Sequence, residues 1–488
     1  MISFDNIPTG WRVPGAQVEI SNVRAGQDLS LQPYRVLLIA QALADVAPGL
    51  YRGTSADQVI SQCGDGSQLA GMATAYFAAN QTTETWYYPL QDVEDAVAAV
   101  WTATITGPAS GDGALVLDLA GDIVRVGVLA GDDTSTIAQA TVDAVAAVTG
   151  AMFTAALAAG TGVTFTARNA GAAGNGMTLD LNPDADDALP AGVAVTISQT
   201  VQGVTNPDLS EVVAAMGDVQ FNIITHPYTD AANLRILDQE LESRWEPPRQ
   251  IEGMAVSAVI ESFDDLADLG DGQNSPNHII VGTPAMPSAV WRVAGGTAGR
   301  LAFSASQDPA RPFQTLTLPG LRGPKPAAQL TGTENNLLLH DGISTLATMT
   351  DRTVAIQRLI TTYRTNALGA ADASYLDPNT RLTLAAIRYD WRNYVLNKLL
   401  GGRYKVGKDG TKFGAGQPVM TPKGLEAEAV SRFKLWMDRG WVQDLETFKT
   451  NLHAEIDSAD PTHLNLLMVP DLVVPLLMVG TRIEFVRG

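Results

Sequence analysis

Positive charge is scarce in this chain. Its 488 residues include 32 lysines and arginines against 52 aspartates and glutamates, a net charge of −20. Before residue 336 the only lysine is Lys325. Such a balance argues against nucleic acid or an anionic membrane as the main partner. Cysteine is scarcer still: Cys63 stands alone, so no intrachain disulfide can form, which suits a reducing compartment. The five histidines, His226, His278, His340, His453 and His463, form no close pair and no His-Glu-x-x-His, so the usual zinc spacings are missing. Long apolar runs are missing too. The longest, Leu464 to Gly480, is broken by Asp471 and two prolines. It falls short of the roughly 20 residues a membrane-spanning helix needs, and it reads as buried core. No basic region followed by an apolar stretch opens the chain, so no secretory signal is expected.

What is present describes a folded, multidomain protein. Apolar residues make up 45% and charged residues 17%, which excludes a disordered chain. The length predicts about three or four domains. Charge is uneven along the chain. Residues 336–488 hold 18 bases and 16 acids, a net of +2, while the remainder holds 14 and 36, a net of −22. This division suits either plain solubility or a last third that faces other protein with an acidic body that faces water.

Both ends carry a short alternating pattern. In "GWRVPGAQVEISNVRAG", Gly10 to Gly26, Val18 and Ile20 alternate with Gln17 and Glu19, as in a half-buried strand, with Val23 beyond. "MVGTRIEFVRG", Met478 to Gly488, repeats the pattern with Ile483 and Phe485. Between them, "YRVLLIA" (Tyr34–Ala40) is a continuous apolar run typical of a strand covered on both faces. Gln68–Asn80 predicts an Ala-rich helix, and "WYYPL" predicts extended chain. From about Gln91 to Gly203 the composition shifts to Ala, Gly, Thr, Val and Asp. Strand, helix and strand patterns follow one another, predicting an inserted α+β domain. The α/β grammar then resumes with strands "FNIIT", "GMAVSAVI" and "HIIVG" and a helix over Ala231–Trp245. The stretch "SQDPARPFQTLTLPGLRGPKPAAQL" reads as a long connector. Two helices, Thr380–Leu400 and Gly424–Gly440, follow, with Gly440 placed to end the second.

Several fragments imitate enzyme motifs. Gly402, Gly407 and Lys408 have P-loop spacing, but Asp409 stands where Ser or Thr would hold magnesium. The segment also follows a helix rather than a strand, so it reads as a hairpin turning at Asp409-Gly410. "GTSA" (Gly53–Ala56) resembles the nucleophile neighbourhood of subtilisin-type peptidases, yet the serine precedes every histidine. Thr54 or Ser55 as a helix cap is the plainer reading. "GAAGNG" lacks the dinucleotide spacing. No catalytic, cofactor-binding or metal-binding residue emerges, and no cofactor is expected. A serine hydrolase acting through Ser55 is the weakest of the readings kept.

The remaining signal is a resemblance to contractile-tail sheath proteins of the Mu-like phage type. It is carried by "LLLHDGISTL", "IQRLITTYRTNALGAADASYLDPNTRLTL", "GKDGTKFGAGQPVMTP", "WMDRGWVQD" and "MVPDLV", in that order. It extends to "FTARNAGAAGNGMTLDL" and "ISFDNIPTGWRVPG". The resemblance implies a multidomain α/β fold with five parts. These are an N-terminal arm (1–28), a middle domain of subtilisin-like topology (29–90 and 204–328) and an inserted α+β outer domain (91–203). An α+β inner domain (329–477) and a C-terminal arm strand (478–488) complete it. The resemblance also implies a structural subunit and no enzyme. Helical stacks of rings, commonly six subunits each, would surround a tail tube and contract to drive it through the host envelope. The partners implied are further copies, the tube protein, and baseplate and tail terminator proteins, with no nucleic acid or membrane. The place implied is the virion tail, assembled in the host bacterial cytoplasm. A bacteriocin-like or secretion-type contractile device is the alternative. Val18, Ile20, Val23, Ile483 and Phe485 are the expected strand-exchange residues, and Arg432, Lys434 and Arg439 the tube-facing candidates.

Overall fold

The computed structural model describes residues 29, 31–158 and 162–487. The chain opens with β1 (Arg35–Gln41), β2 (Tyr51–Gly53), α1 (Ala56–Cys63), α2 (Gln68–Ala79) and β3 (Glu84–Leu90). An insertion follows. It contains β4 (Val100–Thr106), β5 (Gly113–Leu119), β6 (Asp122–Val128), α3 (Thr134–Ala146), β7 (Phe153–Ala158), β8 (Gly162–Ala167), β9 (Leu179–Leu181) and β10 (Ala194–Val201). The chain then returns through α4 (Ser210–Met216), β11 (Ile223–Thr225), α5 (Ala231–Trp245), β12 (Met254–Val259), α6 (Phe263–Asp271), β13 (His278–Gly282) and α7 (Val290–Gln307). β14 (Thr317–Arg322), α8 (Gly332–His340), β15 (Thr345–Thr348) and β16 (Thr353–Arg358) complete the first compact unit, which spans 33–385 together with 474–487.

Six of these strands form one sheet in the order β13-β12-β11-β1-β3-β2, parallel except for the antiparallel edge strand β2. The parallel strands, numbered as they occur, read 2-1-3-4-5 across the sheet, the flavodoxin-like doubly wound order. This corrects the expected subtilisin-like topology; which parallel strands become neighbours is a long-range choice that local periodicity does not carry. The continuous apolar runs of β1 and β12 follow from helices on both faces. Val36, Leu38 and Ala40 meet Met72 and Tyr76 of α2 and Trp291 and Leu301 of α7. Leu37 and Ile39 face the other way, toward Val212 and Met216 of α4 and Leu237 and Leu241 of α5. Each buried Val, Leu, Ile or Met among them stabilises the fold by roughly 1.5–3 kcal/mol.

Helices α2 and α7 approach so closely that a Cβ on Gly295 would lie 2.5 Å from the Met72 carbonyl oxygen, and one on Gly299 2.9 Å from that of Tyr76. Glycine there lets the backbones touch. The α7 helix is missing from the sequence reading because "GGTAG" lowers its intrinsic propensity, and tertiary packing overrides that weak prior. The supposed connector likewise contains β14, which pairs with β16 beside β15.

The insertion forms two antiparallel sheets, β10-β4-β8-β7 and β6-β5-β9, with Ile137, Ala138 and Val145 of α3 buried. Asp133 caps α3 by accepting from the Thr136 amide at 2.8 Å. The insertion is tied to the rest of the first unit by charge as well as by apolar contact. Arg292 grips Asp122 with two bonds of 3.0 and 3.2 Å. Arg352 donates to the Pro183 carbonyl at 2.8 Å, and Lys325 donates to that of Leu181 at 3.1 Å.

Helix α9 (Pro378–Tyr394) leads into a π-helical turn at Val395–Leu400 and the second unit, 386–473. The sequence reading begins the last domain at 329. In the structure 329–385 belongs with the first unit, because β16 pairs with β14 and Ser344 bridges Val281. The second unit contains β17 (Lys405–Val406), β18 (Val419–Met420), α10 (Pro422–Asp438), β19 (Val442–Gln443), α11 (Leu445–Asn451), β20 (His453–Ile456), β21 (Leu464–Leu467) and β22 (Asp471–Leu472). Phe433 and Trp436 of α10 are fully buried, and Phe433 stacks on Phe448 at 4.0 Å. A Schellman motif ends α10. Gly440, at φ 72°, donates to the Met437 carbonyl at 2.9 Å, and Trp441 donates to that of Trp436 at 3.0 Å. Gly440 ends the helix as the sequence predicts.

Candidate assembly interface

Open α/β sheets bind ligands beyond the carboxyl ends of the strands, where the strand order reverses. Here that point lies between β1 and β11, and the protein fills it with its own insertion. Gln41, at the end of β1, donates to Asp92 Oδ1 at 2.6 Å and to the Ala170 carbonyl at 2.7 Å. Asn169 donates to Asp92 Oδ1 at 3.0 Å and to the Ala42 carbonyl at 3.1 Å, and accepts from the Gln68 amide at 3.0 Å. The Ala170 amide closes the set on Asp92 Oδ2 at 2.7 Å. Gly171 turns away at φ 123°, a backbone conformation that favours glycine. The segment "ARNAGAAGNG" thus serves as a plug.

The imitation motifs resolve into structural roles. Ser55 has ordinary extended dihedrals and caps α1 by accepting from the Gln58 amide at 3.2 Å. Cys63 is buried, which pushes its thiol up to about 12 and keeps it protonated. Ser257 Oγ lies 3.3 Å from His278 Nε2, yet both side chains are sealed inside the sheet. Burial holds the His278 imidazole well below its usual range. Among the described residues no group of three His, Cys, Asp or Glu could hold a metal ion. A polar groove of about 880 Å³ in the first unit is lined by Asp238, Glu242, Trp245 and Arg381. The Arg381 guanidinium lies 3.6 Å over the Trp245 ring. The P-loop lookalike is no antiparallel hairpin: β17 and β18 pair in parallel, Lys405 with Val419 and Val406 with Met420. Its length lets the chain loop round before pairing, which corrects the hairpin expectation.

The second unit presents an unfinished sheet. β20 and β21 form a two-stranded ladder from His453–Leu467 to Ile456–Leu464. The outer side of β20 is taken by Glu426, which accepts from the Ala454 amide at 2.9 Å. No further strand lies beside β21 among the described residues. Leu464 and Leu466 of β21 line an apolar groove of about 540 Å³ with Trp391, Val395, Leu399 and Val406. A free strand edge next to an apolar groove is a template for pairing with another chain.

The sequence-predicted arm residues have varied placements. Val18, Ile20 and Val23 lie outside the described residues. The expected C-terminal strand is not formed in the single chain: residues 473–487 hold no regular structure. A lone strand has no ladder to join, which accounts for the difference. Its side chains are nonetheless sorted. Arg482 pairs with Glu484, as residues two apart do on extended chain. Ile483 and Phe485 are left 85% and 87% exposed.

Of the three tube-facing candidates, Lys434 and Arg439 are exposed. Arg432 is not, and it is withdrawn. Its side chain is 3% exposed and ion-paired with buried Asp390. Asp390 also accepts from Arg432 Nε at 3.1 Å and Trp436 Nε1 at 2.8 Å. Asp390 lies far from Arg432 in the chain, so no local pattern announces the pair.

Comparison with known proteins gives the family. Residues 202–362 match the family described as phage tail sheath protein central domain. The Mu-like prophage FluMu tail sheath protein of Haemophilus influenzae is 32% identical over 488 residues, covering 99% of each chain. Among solved structures, the sheath tail protein of Desulfitobacterium hafniense aligns over 94% of this chain and all of its own. The identity is 13% and the TM-score 0.45. A chain of the anti-feeding prophage baseplate aligns over 98% of this chain and all of its own, at 9% identity and TM-score 0.48. The end-to-end match to the Haemophilus protein decides the assignment: this chain belongs to the tail sheath proteins of Mu-like phages.

Proposed function

We propose that this chain is the subunit of a contractile tail sheath that polymerises around a tail tube and drives that tube through the host envelope. The observation that carries the reading is the family match along the whole chain. The subunits stack as helically arranged, six-membered rings between a baseplate and a terminator. They assemble in the host bacterial cytoplasm and work as part of the virion tail. The same geometry serves a bacteriocin-like device equally well.

The proposed link between copies is strand exchange. The C-terminal arm of one copy adds a strand beside β21 of the next. Backbone hydrogen bonds hold it, and Ile483 and Phe485 fill the groove lined by Leu464 and Leu466. Burying these two exposed side chains is worth roughly 1.5–3 kcal/mol each. Val18, Ile20 and Val23 supply the matching link from the N-terminal arm. Lys434 on α10 and Arg439 at its C-terminal end, both exposed, remain the proposed tube-facing pair. Truncation tests the reading. Chains lacking the residues before Gly26, or those after Gly480, are expected to fold and to form no tubes by electron microscopy. Ordered tubes from either truncation sink the strand-exchange proposal.

A further inference from the structure

The second unit carries a surface that the arm reading leaves unused. Between Leu396 and Lys423 the sequence places Lys398, Arg403, Lys405, Lys408, Lys412 and Lys423 against one acid, Asp409. From Gly401 to Pro418 every residue but Gly407 is exposed. The loop is held in shape all the same. β17 pairs with β18 at its base, and Phe413 folds back over Gly407, where a Cβ would meet the ring at 2.7 Å. Its single carboxylate, Asp409, accepts from the Lys423 amide at 3.1 Å. The Lys405 ammonium donates to the neutral Gln417 Oε1, at 2.8 Å. Arg403, Lys405, Lys408 and Lys412 make no ion pair within the described residues.

The rest of the molecule has the opposite surplus. Residues 33–385 hold 16 bases against 37 acids, a net of −21. Many of those bases are already committed within the unit. Arg35 pairs with Glu84, Arg292 with Asp122, Arg358 with Asp377 and Arg364 with Asp271. Its surplus acids therefore face outward with few cations of their own. Copies that each carry −20 repel one another when packed side by side, unless opposite charges are placed in contact.

We propose that the basic loop 396–423 is a contact surface for the acidic 33–385 face of a second copy of this chain. The inference rests on the self-assembly proposed above, and uses a surface separate from the arms. Such a contact sets the register and speed of assembly and weakens with salt.

The test uses the full chain with Lys405, Lys408 and Lys412 all changed to Glu, beside a milder K408Q/K412Q variant. Because the changed residues are exposed, both variants are expected to melt as the parent does. The triple variant is expected to need at least about tenfold more protein to form tubes at low salt, with the milder variant in between. The salt dependence of assembly is expected to flatten in the same order. Carbodiimide treatment of tubes from mixed isotope-labelled copies is expected to join these lysines to carboxylates within 33–385 of another copy. Unchanged assembly and salt dependence in the triple variant overturns the proposal. So do cross-links that form only with added tube protein. If the triple variant assembles normally while the chain cut after Gly480 does not, the loop proposal falls and the arm reading stands.

Discussion

The buried pair of Arg432 and Asp390 makes a sharp quantitative prediction. Asp390 is fully buried and accepts from two guanidinium nitrogens and from the Trp436 indole. Asp390→Ala removes all of those acceptors and leaves a guanidinium inside the second unit. Breaking one side of a buried ion pair costs about 3–5 kcal/mol, mostly from the stranded charge. Local opening of α10 then becomes roughly a hundredfold to several thousandfold more frequent. Hydrogen exchange of the amides within 422–438, measured on the full chain, reads this directly. Replacing both partners together, Arg432→Met with Asp390→Leu, is expected to restore much of the protection. If Asp390→Ala speeds exchange less than about fivefold, equivalent to under 1 kcal/mol, the pair does not hold α10 in place and the reasoning fails.

Three further outcomes follow from the geometry. Burial lowers the His226 imidazole from 6.5 to about 4, so the folded state keeps it neutral while the unfolded chain protonates it. The stability this gives is fully present above pH 6.5 and is lost as pH falls toward 4, a total of about 3 kcal/mol; urea unfolding of His226→Phe is expected to show a shallower slope, with His278 supplying what remains, and an unchanged slope refutes the assignment. Gly295→Ala places a methyl 2.5 Å from the Met72 carbonyl oxygen. A loss of about 1–3 kcal/mol is expected by calorimetry, and an unchanged melting temperature contradicts the close α2–α7 contact. Asn169→Ala removes bonds to Asp92, Ala42 and Gln68. A cost of about 2–4 kcal/mol with faster proteolysis near 168–176 is expected, and intact protection there refutes the role of the plug.

Much of the first unit is legible in the sequence because its signals are local. The run Val36–Ala40 is apolar throughout and Met254–Val259 is broken only by Ser257, as suits a strand covered on both faces. Ala231–Trp245 has helical spacing and an Asp230 cap, so its limits are read correctly. The failures share a different cause. The α7 helix is stabilised by glycine contacts with a helix more than two hundred residues earlier in the chain. Arg432 looks like a surface base until Asp390 is brought to it. The open edge of β21 has no sequence signature, since an unpaired edge is a fact about neighbours. The plug at the switch point is the clearest case: "FTARNAGAAGNGM" reads as glycine-rich turns, and only the sheet order gives it a place to sit.

That plug has a mechanical consequence. A crevice kept open for ligands is a weak seam, because the loops around it must part. Here the seam is riveted by Gln41, Asp92 and Asn169, and the Arg292 grip on Asp122 adds a second fastening at a distance along the chain. A pull applied to the insertion loads these bonds together, in parallel, instead of opening a hinge. The first unit is therefore built to pass on force with little give, so the yielding in a polymer of such chains falls to the joints between copies.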